Sequence, residues 1–161
     1  MNKQEISLRY RIILALFSFM IVGQISYAAS TSSSTGTSSL EKREEANIYF
    51  ERGLNFQKSE NYIEASKEYK KAVKADSSYA EAWSNLGYSY RKQGNYKKAI
   101  KAYKKAIKLD PNLAEAHEYL GEAYAETGKF DLALEELQIL ESLGSEEAVE
   151  LETFIERMKS G

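Results

Sequence analysis

The chain has 161 residues, 43% of them hydrophobic and 29% charged, with a formal net charge of −2; this is the composition of an ordinary globular domain. It holds no cysteine and one histidine, which excludes a disulfide framework, thiol catalysis and metal sites built on Cys or on paired His. A charge so close to balance gives no general attraction to nucleic acid or to membrane surfaces.

At the N-terminus, Lys3, Arg9 and Arg11 precede the apolar run IILALFSFMIVG, and Ser26 and Ala28 set small residues where a signal peptidase reads them. Residues 1–28 are therefore expected to be a signal peptide cut after Ala28. The run is short of the ~20 apolar residues a membrane span requires. The remainder is expected to be exported, periplasmic or extracellular, and anchored by its N-terminus if the segment is not cut. Loss of Lys3, Glu5, Arg9 and Arg11 leaves 19 basic against 23 acidic residues. Residues 29–39, ASTSSSTGTSS, have no apolar periodicity and read as a flexible Ser/Thr-rich linker. Ser38 and Glu41 have the spacing of a capping box, so the folded domain is expected to cover 40–161.

From there the apolar positions fall at helical spacing, with one proline and no strand alternation. A 34-residue period divides the chain into copies at 46–79, 80–113 and 114–147. Gly53, Gly87 and Gly121 share one column, and Ala65, Ala99 and Ala133 another; small residues let two antiparallel helices approach where they cross. Bulky columns fill the space beside the crossing: Tyr49, Trp83 and His117; Phe56, Tyr90 and Tyr124; Tyr69, Tyr103 and Leu137. Gly94 and Gly128 stand where a left-handed residue would end the first helix of a pair. Each copy is thus expected to be a helix, a tight turn and a second helix, and such hairpins must stack to cover their apolar faces. Copy one departs at Arg52, at Glu60 where the turn glycines stand, and at Ser77 in place of Pro111, which predicts looser packing there. After copy three, Gly144 stops a helix and Ser145 starts another, about 146–159. In it Ala148, Leu151, Phe154, Ile155 and Met158 share a face, as in a capping helix.

The middle copy, with Trp83, Leu86, Gly87, Tyr90, Ala99, Tyr103, Ala106 and Pro111 in place, resembles the tetratricopeptide repeat. The resemblance implies an all-α, right-handed α-solenoid of three helix-turn-helix hairpins and a C-terminal cap, with a concave face made by the first helix of each pair. Carried onto this chain, that face comprises Asn47, Phe50, Leu54, Gln57, Lys58, Glu81, Ser84, Asn85, Tyr88, Arg91, Lys92, Glu115, Glu118, Glu122, Ala125 and Glu126. Phe50, Leu54 and Tyr88 would give it an apolar floor. Glu115, Glu118, Glu122 and Glu126 would line one side of a helix with carboxylates, an arrangement that repels itself unless something pairs with it. The expected partner is a protein segment, peptide or helix, with apolar and basic residues, and Glu118 and Glu122 are expected to be replaceable by Lys at no cost to the fold. The family's clamp for a C-terminal carboxylate is disfavoured: its places hold Phe50, Leu54, Asn85, Glu115 and Tyr119, and only Asn85 suits it.

The second helix of copy two carries Lys97, Lys98, Lys101, Lys104, Lys105 and Lys108 on one face. It reads as a solvated face whose lysines pair with Asp131 and Glu135 in the next copy, with anionic envelope polymers as the alternative ligand. His117, in the column of Trp83, reads as a packed ring. No nucleophile has a base and an acid beside it, and no phosphate loop or ligand cluster occurs, so neither catalysis nor a metal or cofactor is expected. The chain reads as a non-catalytic adaptor or scaffold of the cell envelope, the alternative being a self-associating structural scaffold.

Overall fold

The structure, a computed structural model, describes residues 34–160. Among the described residues there are seven helices and no strand: α1 (Ser34–Lys58), α2 (Tyr62–Ala75), α3 (Ala80–Lys92), α4 (Tyr96–Leu109), α5 (Ala114–Glu126), α6 (Phe130–Leu143) and α7 (Glu147–Ser160). The chain divides into two units, 1–39 and 40–161, and all the packing below lies within the second. The expected signal peptide falls outside the described residues. The expected linker and capping box are corrected in part: α1 already includes Ser34 to Ser39, so Ser38 and Glu41 lie inside a helix rather than at its start. Once a helix is nucleated, each further residue costs little to add.

Within each pair, α1 with α2, α3 with α4 and α5 with α6, a short turn reverses the chain. Asn61 and Asn95 cap the second helices, their side chains accepting from the Glu64 and Lys98 N–H groups at 3.3 and 3.4 Å. Between pairs, Asp76 accepts from the Ser78 N–H at 2.9 Å and Asp110 from the Asn112 N–H at 3.0 Å, Asx turns that start the next hairpin. Successive first helices touch, α3 with α5 and α5 with α7, so they form an inner layer, with α2, α4 and α6 outside.

The small-residue columns work as expected in one respect and differently in another. Ala65, Ala99 and Ala133 are fully buried at the crossings. The glycines, however, seat a side chain rather than a backbone. A Cβ on Gly53 would lie 2.5 Å from the Tyr69 ring, and one on Gly87 2.6 Å from the Tyr103 ring. The first hairpin, predicted to pack loosely, makes the same contact as the second. In the third, Leu137 replaces the tyrosine and the space over Gly121 is taken by Leu151 from α7, at 2.5 Å.

The cap therefore completes the last hairpin. Ala148, Leu151 and Ile155 are buried and Phe154 packs against the core, while Gly144 ends α6 at φ 66°. Burying a side chain such as Leu151 stabilises by roughly 1.5–3 kcal/mol, which holds α7 against α5. The ring column also has a shared partner: Trp83 Nε1 donates to the Ser77 carbonyl at 3.1 Å, and His117 Nε2 lies 3.0 Å from the Pro111 carbonyl. His117 Nδ1 is 2.7 Å from Glu136. The acceptors on its two sides favour the doubly protonated ring, and the bond to Glu136 raises its pKa. The packed ring expected at His117 is what the fold contains.

Candidate functional site: the inner face

The inner face is dominated by tyrosine. Tyr88, from the middle of α3, lies edge-on to Tyr62 at 6.0 Å and against Tyr119 of α5 at 5.1 Å; Tyr119 in turn lies 6.1 Å from Tyr103. Tyr62, Tyr88 and Tyr119 are half-buried, as Phe50 and Leu54 are, and Tyr119 also packs on the core; each ring keeps part of its surface exposed for contact. Tyr62 begins α2, and Tyr119 stands in the column of Asn85, one before Leu120; the sequence reading named Tyr119 only as a place of the disfavoured carboxylate clamp and did not name Tyr62, because only the stacking with Tyr88 joins them into a row.

Phe50 and Leu54 were expected as an open floor. Both are half-buried and packed on the core, Phe50 against Tyr79 at 5.0 Å and Tyr69 at 5.7 Å. Ser84 and Asn85 are buried, and the Asn85 amide donates to the Glu81 carbonyl at 3.0 Å, so it is already engaged. Asn47 and Glu81 are exposed.

Arg91 changes the meaning of the carboxylates. It is 7% exposed, reaches Glu122 at 2.5 Å and Glu126 at 3.2 Å, and lies 5.5 Å from the Tyr88 ring centre and 5.7 Å from that of Tyr119. Burial opposes its charge, but Glu122, Tyr103 and Glu126 more than restore it. Two of the four carboxylates of α5, Glu122 and Glu126, are thus paired within the molecule by the preceding repeat and need no outside ligand to explain them. The expectation that Glu118 and Glu122 are replaceable by Lys is overturned with it. Breaking a buried pair such as Arg91–Glu122 costs ~3–5 kcal/mol, because a charge is left unpartnered.

Glu118 lies under α7 and is 8% exposed. Burial, then Glu122 and Glu150 beside it, push its pKa up to about 8, so at neutral pH it is mostly protonated. Glu115 is raised as well, by burial, although the Tyr119 hydroxyl hydrogen-bonds to it. What remains open on this face is a tyrosine row flanked by Glu81, Glu115 and Lys92.

On the outer face, the pairing expected between the lysines of α4 and Asp131 or Glu135 does not form: the ion pairs among the described residues include none of them. No group of three or more His, Asp or Glu among the described residues is placed to hold a metal, and no helix among them is long and apolar enough to cross a membrane.

Comparison with known proteins places this architecture. A profile described as the TPR repeat matches residues 46–94 and 87–128. The second TPR domain of human RPAP3, in complex with the HSP70 peptide SGPTIEEVD, is 27% identical with a TM-score of 0.63, over 74% of this chain and 96% of that one. The second TPR of Spaghetti (RPAP3), bound to the HSP90 peptide SRMEEVD, is 27% identical with a TM-score of 0.62, over 65% of this chain and 97% of that one. MamA is 28% identical with a TM-score of 0.57, over 68% of this chain and 59% of that one. A search of curated protein sequences finds no match. Three stacked hairpins with one column pattern, and a profile match that spans their first two and the first helix of the third, mean that this chain belongs to the tetratricopeptide repeat family.

Proposed function

We propose that the domain is a non-catalytic interaction module that holds a segment of another protein across its inner face, gripped by Tyr62, Tyr88 and Tyr119. The observation that carries this is the half-exposed tyrosine row, which spans all three hairpins. Tyrosine gives large contact area at low cost in side-chain entropy. The RPAP3 domains, alike in fold and 27% identical, are bound to peptides, which supports a peptide ligand here.

The ligand differs in charge from those two. Both of those peptides end in Glu-Glu-Val-Asp, whereas this face offers Glu81 and Glu115, an Asn85 already bonded to the backbone, and an Arg91 already neutralised. An acidic terminus would meet like charge. The partner segment carries apolar side chains for the tyrosines and Lys or Arg for the carboxylates. We further propose that the chain works after export, in the periplasm or outside the cell, with residues 1–28 removed; N-terminal sequencing of the protein from its host would then begin at Ala29.

The test uses the partner co-purified from the host. Tyr88→Ala with Glu81→Lys should weaken its binding at least tenfold, while Lys97→Ala on the outer face leaves it unchanged, and the peptide SGPTIEEVD should not bind. Undiminished binding by the inner-face variant refutes the reading.

A further inference from the structure

On the outer side, at the junction of the first two hairpins, a cleft of about 390 Å³ opens between α2, α3 and α4. Its floor is apolar, formed by Val73, Trp83, Leu86, Tyr90 and Ala102, and its rim is Lys70, Lys98, Lys101 and Lys105. No carboxylate lines it, and among the described residues none of the four lysines forms an ion pair. Lys70 and Lys98 each stand 5.5 Å from the Tyr90 ring centre, from opposite helices. An apolar pocket of ~300–1,000 Å³ with a few convergent polar groups is the form small-molecule sites take.

The cleft belongs to one junction and is not a by-product of the repeat. One period later, Ile107 stands for Val73 and Glu136 for Ala102, while Leu132, Glu135 and Ile139 replace the three lysines of α4. There Glu136 is held by His117, the counterpart of Trp83, across the same space. Small residues open the first junction, and four unpaired cations surround it.

We propose that this cleft binds one single-chain anionic amphiphile of the long-chain carboxylate type, its apolar chain lying against Trp83, Leu86 and Tyr90 and its head group among Lys70, Lys98, Lys101 and Lys105. An extended polyanion would satisfy the lysines but leave the floor empty; a neutral chain would fill the floor but leave four like charges facing one another. Only a molecule with both parts meets both surfaces.

Trp83 is the sole tryptophan and forms part of the floor, so its fluorescence reports on this cleft within the full chain. Titration with dodecanoate below its micelle-forming concentration should give a saturable shift in Trp83 emission. The affinity should be at least tenfold tighter than for dodecanol and should fall as salt rises. The double variant Lys98→Gln, Lys101→Gln should weaken dodecanoate binding at least tenfold with an unchanged melting temperature, both positions being exposed. The proposal is overturned by no saturable shift, by equal affinity for dodecanol, by no effect of the double variant, or by dextran sulfate, which has no alkyl chain, giving the same shift; this last result would make the face a polyanion surface.

Discussion

At Glu60 the backbone takes φ 57°, where the corresponding turns have Gly94 at 73° and Gly128 at 72°. The turn geometry is fixed by the two helices it joins, with the Asn61 N–H bonded to the Phe56 carbonyl as the Asn95 N–H is to that of Tyr90. The glutamate must therefore adopt it. A side chain in the left-handed region costs about 1–2 kcal/mol, and glycine's greater freedom in the unfolded chain returns part of that. Glu60→Gly should raise stability by about 0.5–1 kcal/mol, seen as a higher urea midpoint at constant slope; a fall would mean that Glu60 makes a compensating contact. Arg91 shows the opposite kind of residue. Nothing in its position along the chain indicates that Glu122 and Glu126, a whole repeat away, hold its guanidinium, and so those carboxylates look available in the sequence when they are engaged in the fold.

At the scale of the helix pair, the glycine columns record where a ring must be seated. Gly87→Ala should cost about 1–2 kcal/mol, the overpacking against Tyr103 being reduced by alanine's better helix propensity, worth about 1 kcal/mol. Tyr103→Leu makes the second hairpin like the third, which has Leu137 in that place, and relieves the clash. The double variant should therefore be more stable than the sum of the two single losses predicts, by about 1 kcal/mol or more, measured by denaturant unfolding. Simple additivity would show that the ring and the glycine do not act together. The repeat pattern was legible here because packing of adjacent helices uses the same few positions in every copy. The partner of Gly121 was not, because the sequence period ends before α7 and Leu151 belongs to no column.

Over the whole folded unit, the burial of α5 beneath α7 makes stability depend on pH. The ordinary carboxyl value for Glu118 is 4.5 and in the fold it is about 8, burial being the first cause and Glu122 on α5 with Glu150 and Glu147 on α7 the next. Between those values the folded chain holds a proton that the unfolded chain has released. The stabilisation is full below pH 4.5 and is lost as pH rises through 8. His117, raised mainly by Glu136, acts in the same direction, its contribution being full below 6.5 and lost as pH rises through its folded value. Asp76 opposes them at the acid end: against burial, Ser78 and Arg43 hold it low, so its stabilisation is present above 3.8 and lost on acidification. Stability should thus be greatest near pH 5 and fall on the order of 2 kcal/mol by pH 9. Glu118→Gln, which keeps the shape without the charge, should flatten that fall in a plot of melting temperature against pH, and an equally steep plot for the variant would assign the fall to other groups.

The sequence by itself determined the helices, their pairing into three hairpins, the turn positions, the capping face of α7 and the family, because each of these follows from local periodicity and from residue types that recur at one spacing. Which inner-face residues remain free was decided only by tertiary structure. Arg91 cancels half the carboxylates of α5, α7 covers Glu118, and Tyr62 and Tyr119 join Tyr88 in a row. These are contacts between residues distant in the chain, set by how stacked helices meet, and a repeat pattern holds no record of what each variable position faces across the interface.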